Sequence, residues 1–253
     1  LLFTSVAFSQ NSASNTNELD VLIAKALENS KSIKAAQLQV DKTKANINNA
    51  YSFDKTNVYY SYDQNNLALN NEPLKVFGIQ QRFAFPTVYG AQKSVNSAEY
   101  EKEKASFEIQ KNKLTFGVSN AYHHIVYLQH QEKLYRYLDS LYQNFSKASD
   151  RKFELGETNY LEKITAQAKF RKISTTLSQL ENDKKAQYEI LQSLVQSEDK
   201  IVIENSKMEP IPDITNETSK LLYSSYLESI TNNYKNQISL QKQHWLPDIN
   251  LDY

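Results

Sequence analysis

The chain has 253 residues, 29 Lys and Arg against 29 Asp and Glu, no cysteine and 40% apolar side chains. Zero formal net charge removes the basic field that phosphate-backbone binding requires, and the lack of cysteine excludes a thiolate metal site or disulfide framework and argues against lipid attachment near residues 1–10. No segment approaches the ~20 consecutive apolar residues of a transmembrane helix, so a membrane crossing would have to use strands.

Residues 1–10 (Leu1-Leu2-Phe3-Thr4-Ser5-Val6-Ala7-Phe8-Ser9-Gln10) lack an initiator methionine and read as a signal-peptide remnant: the end of an apolar core followed by small residues. A polar Ser/Asn stretch, 11–17, follows. Leu19, Leu22, Ile23, Ala26 and Leu27 then mark an amphipathic helix that continues past Asn29-Ser30 through Ile33, Ala36, Leu38, Val40 and Ile47 and ends near Tyr51, giving a helical region over 18–51.

The period next changes from helical to two. Val58, Tyr60 and Tyr62 alternate with Tyr59, Ser61 and Asp63; after an Asn-rich loop, Phe77, Ile79, Gln81 and Phe83 alternate with Gly78, Gln80 and Arg82, and Pro86 closes the run. These residues predict a β-hairpin over 56–85.

From Thr87 to Ser197 there is no proline and there are only three glycines. Helices of that length would span roughly 90 Å for the first leg alone, many times an average soluble helix. One turn interrupts them, Phe153-Glu154-Leu155-Gly156-Glu157-Thr158-Asn159, where glycine ends one helix and Thr158 or Asn159 caps the next. The expectation is a long helical hairpin over 87–197 with its tip near 153–159. Leu114, Val118, Ala121, Ile125 and Leu128 keep a heptad rhythm that resumes out of phase at Leu134, Leu138, Leu141, Phe145 and Ala148, the pattern of a stutter. The returning helix carries Ile173, Leu177, Leu180, Lys184, Gln187, Leu191 and Leu194, with Lys184 and Gln187 predicting wide or wet packing.

Residues 199–217, with Pro210 and Pro212, read as a linker containing a short strand at Lys200 to Ile203. Residues 218–253 repeat the opening order: a helix through Leu222, Tyr226, Leu227, Ile230 and Ile238, then an alternating segment from Trp245 to Tyr253. Residues 11–198 thus form one structural repeat and 218–253 start a second.

Strands of this length with aromatic faces favour an outer-membrane barrel. In that arrangement Val58, Tyr60, Tyr62, Phe77, Ile79, Phe83, Ile249 and Leu251 face lipid, while Asp63, Arg82, Asp248 and Asp252 line a mildly acidic pore; strand tyrosines such as Tyr59 and Tyr253 suit a membrane-interface girdle. His123, His124 and His130 are spaced too widely to share a metal ion, and no nucleophile elbow, zinc-protease, P-loop or dinucleotide motif occurs. The expectation is no enzyme, no cofactor and no metal site.

Three strings resemble the outer membrane efflux proteins of the TolC family: Phe77-Gly78-Ile79-Gln80-Gln81-Arg82-Phe83 leading into the helix, Leu155-Gly156-Glu157-Thr158-Asn159-Tyr160-Leu161-Glu162 at the hairpin tip, and Trp245-Leu246-Pro247-Asp248-Ile249 before the third strand. Ala35-Ala36-Gln37-Leu38-Gln39-Val40 and Arg82-Phe83-Ala84-Phe85-Pro86-Thr87-Val88-Tyr89 look most like its heavy-metal resistance (Cus/Czc-type) branch. The resemblance implies a mainly α fold with β: outer-membrane barrel strands continued by long helical coiled coils, four strands per protomer in a homotrimer. It implies passive conduction of substrate, heavy-metal cations for that branch, from an inner-membrane RND-type pump to the exterior. It also implies that a periplasmic adaptor or the pump docks on the tip residues Leu155, Gly156, Glu157, Thr158 and Leu161. This chain supplies three strands instead of four and lacks a second hairpin, so it looks like part of a longer reading frame. The competing reading is a soluble or periplasmic coiled-coil scaffold without a pore. A periplasmic adaptor with lipoyl-like halves is disfavoured by four glycines in the whole chain.

Overall fold

A computed structural model describes residues 18–67, 73–204 and 217–253. The signal-peptide remnant at 1–10, the tip of the Asn-rich loop and the proline-bearing part of the 199–217 linker lie outside the described residues. The elements run α1 (Glu18–Asn29), α2 (Lys31–Asn46), a 3-10 turn (Asn48–Tyr51), β1 (Asn57–Leu67), β2 (Pro73–Phe83), α3 (Pro86–Glu154), α4 (Tyr160–Val195), α5 (Glu217–Gln243) and β3 (Ile249–Asp252). The chain divides into two units, Leu1–Ser30 with Asn112–Pro212 and Lys31–Lys111 with Asp213–Tyr253.

The first unit is built on the seam between α3 and α4. Val118, Ala121, Tyr122, Ile125 and Val126 of α3 pack with Leu191 and Val195 of α4, and α1 adds Leu22 and Ala26. These positions recur at three- and four-residue steps, so a continuous apolar stripe faces the neighbouring helices. The segment Lys200 to Ile203, expected as a strand, forms no ladder. Instead the Gln192 side chain accepts from Ile201 N at 3.2 Å, the Tyr188 hydroxyl accepts from Ile203 N at 3.3 Å, and Gln129 Nε2 donates to Ile203 O at 3.0 Å. Side chains satisfy the backbone groups that a sheet would otherwise take.

Below Leu128 the predicted stutter is absent. The seam keeps its original phase through Glu132, Ser146 and Ser149, all buried, while Leu134, Leu141 and Phe145 are 55%, 50% and 55% exposed. The apolar residues taken for a resumed seam are a second stripe on another face. On α4 the expected positions hold: Leu180 and Leu191 are buried and Ile173, Leu177, Lys184, Gln187 and Leu194 half-buried. As its polarity predicts, Lys184 borders an open gap, a cavity of about 650 Å³ lined also by Gln129, Glu132 and Arg136. It pairs with Glu132, which Arg136 also bonds at 2.7 Å, and Arg136 reaches on to Glu181 at 2.6 Å. Burial alone would push the Glu132 carboxyl up, but hydrogen bonds and charge from Lys184 and Arg136 outweigh it and hold the group below its ordinary value.

The second unit joins helices to the sheet. The helical region expected over 18–51 breaks at Ser30 and tightens into the 3-10 turn before β1. On α5 the half-buried line runs through Leu222, Tyr226 and Leu240 around buried Asn233, which donates to Glu99 at 3.0 Å. Leu227 and Ile238, predicted for the packed face, are 47% and 58% exposed. The strand expected from Trp245 begins only at Ile249: Trp245 N and Leu246 N donate back to Lys242 O and Gln243 O at the end of α5, and Pro247 has no N–H for a ladder.

A two-faced sheet and a capped hairpin tip

The sheet is antiparallel in the order β1-β2-β3. Directly paired residues share a face, so the register assigns every position. Val58 pairs with Ile79 and Tyr60 with Phe77; Phe83 pairs with Ile249 and Gln81 with Leu251. With Tyr62, which pairs with Lys75, these place all eight of the residues predicted to face lipid on one side. All but half-buried Phe83, which packs on Phe53, are open: Phe77 is 68% exposed and Tyr60 63%.

The opposite side carries Asp63, Arg82 and Asp252 of the residues predicted to line a pore; the fourth, Asp248, precedes β3 and is tied to this side by its ion pair with Arg82. Arg82 clasps Asp248 through Nη2 and through Nε at 3.0 Å, closing β2 onto the segment that leads into β3. Asp63 accepts from Asn65 N at 3.0 Å, an Asx turn at the point where the β1–β2 register shifts. Gly78 sits opposite Tyr59 on this face, and the Tyr59 ring lies over it where a Cβ would stand. A side chain at Gly78 would displace the tyrosine, an instance of an aromatic covering a strand glycine.

The hairpin tip is determined by two caps. Gly156 takes φ +75; Glu157 N donates to Lys152 O at 2.9 Å and Gly156 N to Phe153 O at 3.0 Å. This is the Schellman arrangement, which favours glycine at that position. Of the two candidate caps, Asn159 is the one used: its side chain accepts from Glu162 N at 2.9 Å, and Thr158 Oγ1 bonds the Glu162 carboxylate instead. Phe153 and Tyr160 meet at 5.9 Å between centroids, with Lys163 Nζ 4.9 Å over the Phe153 ring. Leu155 and Leu161 remain 65% and 74% exposed, and a Cβ on Gly156 would meet nothing within 4 Å. The five predicted tip residues therefore share one open end of the hairpin.

His123 and His124 are exposed on α3, as is His130. No helix among the described residues is long and apolar enough to cross a membrane. The ion-pair network at Glu132 escaped sequence reasoning, although Lys184 at a seam position was a signal that an acid should face it from α3.

This combination defines a class of fold: a small two-faced sheet feeding very long helices. It is the fold of outer-membrane channels. The chain superposes on a membrane protein from Pseudomonas aeruginosa with TM-score 0.75 at 14% identity, covering 92% of this chain and 59% of that one. For the Campylobacter jejuni CmeC outer membrane channel the values are 0.70, 14%, 92% and 55%. For CusC, described in connection with folding and transmembrane channel formation, they are 0.71, 17%, 93% and 58%. The chain thus spans less than two thirds of each of these structures. No known protein family and no curated protein matches it by sequence.

Proposed function

We propose that this chain is the outer-membrane duct component of a tripartite efflux system of the TolC type. The observation that carries this reading is the register of β1, β2 and β3, which gathers an aromatic and aliphatic row onto one side, with Lys75 and Gln81 in it, and Asp63, Arg82 and Asp252 onto the other. Lipid is the environment that favours such a row when the same strands need water behind them. Val58, Tyr60, Tyr62, Phe77, Ile79, Phe83, Ile249 and Leu251 then face lipid, and Asp63, Arg82, Asp248 and Asp252 face the lumen.

The helices fit the same duct. A wall helix must touch a neighbour on each flank, and α3 carries two stripes: the α4 seam and the exposed line of Leu134, Leu141 and Phe145. β1 and β3 are both edge strands, so closure of the barrel requires strands from elsewhere, which a homotrimer supplies. Residues 11–198 act as one repeat and 218–253 as the start of another. The open tip at Leu155, Gly156, Glu157, Thr158 and Leu161 docks a periplasmic adaptor or the RND-type pump, and conduction is passive. The heavy-metal branch strings at Ala35–Val40 and Arg82–Tyr89 make heavy-metal cations the cargo.

The test is reconstitution. The chain should fractionate with outer membranes, run as a heat-modifiable oligomer and conduct ions in planar bilayers. Recovery only in soluble fractions, with no conductance, favours the scaffold. Cargo is read separately, by metal sensitivity of cells lacking the chain.

A further inference from the structure

The three places where helix meets strand in the second unit are tied to one another. Phe53, in the lead-in to β1, stacks edge-on with Phe83 at the end of β2 and with Tyr89 at the start of α3, each at 5.5 Å. Thr87 donates to Gln243 at 2.7 Å, joining the start of α3 to the end of α5, and Gln81 Nε2 donates to Asp54 O at 2.8 Å. The Arg82–Asp248 clasp adds the lead-in to β3. These junctions form one cross-linked layer at the foot of the sheet.

The layer is rich in exposed rings. Trp245 is 89% exposed, Phe53 58% and Tyr51 50%. Indole and phenol rings of this kind sit best at the headgroup level of a bilayer, where apolar body and polar tip are both satisfied. β2 has 11 residues. At ~3.3 Å each and a tilt of 35–45° its height is about 27 Å, close to the ~25 Å apolar band of an outer-membrane barrel. With the sheet spanning the hydrocarbon, the junction layer falls at the inner-leaflet headgroups.

Within this layer lies a cavity of about 440 Å³ lined by Asn46, Asn49, Asp54, Tyr89, Gln92 and Asn96, among others. Its amides partly satisfy one another. Asn49 Nδ2 donates to Asn46 Oδ1 at 2.9 Å, Asn96 Nδ2 to Asn46 O at 2.8 Å, and Gln92 Nε2 to Asn96 Oδ1 at 2.8 Å. Left over among the described residues are the acceptors Asn49 Oδ1, Gln92 Oε1 and the Asp54 carboxylate, with Asn46 Nδ2 and the Tyr89 hydroxyl hydrogen as donors. No Lys or Arg lines the cavity.

We propose that this cavity binds the headgroup of an aminoethyl phospholipid, with the acyl chains lying along Phe83, Ile249 and Leu251. The inference rests on the outer-membrane reading given above. Three acceptors, one of them charged, match the three N–H donors of a primary ammonium. A choline headgroup offers no such donors, and an anionic glycerol headgroup meets the Asp54 carboxylate in a cavity lined by no cation, Arg82 and Lys55 facing Asp54 from the neighbouring cavity. The Asn46 amide and the Tyr89 hydroxyl take the phosphate oxygens.

The experiment uses the full chain in a sugar-free detergent, titrated with short-chain phosphatidylethanolamine, phosphatidylcholine and phosphatidylglycerol and read by native mass spectrometry. Phosphoethanolamine alone is a fourth arm that separates a headgroup site from an acyl-chain requirement. The expected result is a preference for phosphatidylethanolamine of about tenfold, the equivalent of one charge-assisted hydrogen bond. Asp54→Asn, at an exposed position, and Gln92→Leu should each reduce it. Equal retention of the three lipids, or an unchanged preference in Asp54→Asn, overturns the proposal. Heat-modifiable mobility on the same preparations reads the duct separately: mobility kept with lipid preference absent removes the site alone.

Discussion

The α3 seam changes chemistry halfway along without changing register. From Val118 to Leu128 it is apolar, with Val118 and Ile125 both fully buried against a neighbourhood that includes Leu191 and Val195. From Glu132 to Ser149 the same heptad positions carry Glu132, Tyr135, Asp139, Tyr142, Ser146 and Ser149, while Leu134, Leu141 and Phe145 are exposed. In the first stretch burial of hydrocarbon holds the helices together. In the second the seam is mixed, polar groups alternating with the half-buried rings of Tyr135 and Tyr142, and three large apolar side chains stand among the exposed polar ones. The hydrocarbon that holds α3 to its neighbours is therefore concentrated in one stretch of the helix.

The largest effect should come from the apolar stretch. Leu191→Ala removes a fully buried side chain from the α3–α4 seam and should cost about 2–5 kcal/mol, the range for such truncations. Chemical denaturation followed by helical circular dichroism checks it. A loss below about 1 kcal/mol would mean that the apolar stretch is not where the unit's stability resides.

The polar stretch should respond to pH instead. Because Lys184 and Arg136 hold the Glu132 carboxyl below its ordinary value of 4.5, its contribution to stability is fully present above that pH. It is lost as pH falls through the lower folded value. Arg136 is more than half exposed, so screening limits the contribution to about 1 kcal/mol. Glu132→Gln should lower stability near neutral pH and leave a shallower decline below pH 4.5. An identical acid profile for both forms would show that the network contributes nothing measurable.

The contrast also marks what was legible in the sequence. Alternation placed β1 and β2, because a period of two with aromatic residues has few other outcomes. The turn at Gly156 was legible because a left-handed residue flanked by cap formers signals both helix ends. The phase of the seam below Leu128 was not. Sequence periodicity identifies an apolar stripe but not its occupant, and Leu134, Leu141 and Phe145 repeat as regularly as Val118 and Ile125 do. The same ambiguity misplaced Leu227 and Ile238 on α5, where the packed line runs through Asn233. Strand faces survived because pairing fixes them two residues at a time. The start of β3 moved because alternation continues through Pro247 although hydrogen bonding does not.

The smallest expected effect on folding is the most informative about assembly. Leu141 and Phe145 are half-exposed or more within the chain, so Leu141→Ser with Phe145→Ser deletes little buried area. Surface changes of this sort usually stay within about 0.5 kcal/mol. If the second stripe is the flank of a duct wall, the double variant should keep the stability of the parent chain while its oligomer dissociates in detergent, read by light scattering. The reason is that an exposed apolar stripe contributes only when a partner removes it from water. A large loss of monomer stability would instead place these residues in the chain's own core. An unchanged oligomer would leave the edge strands β1 and β3, rather than the helices, as the principal contact between copies.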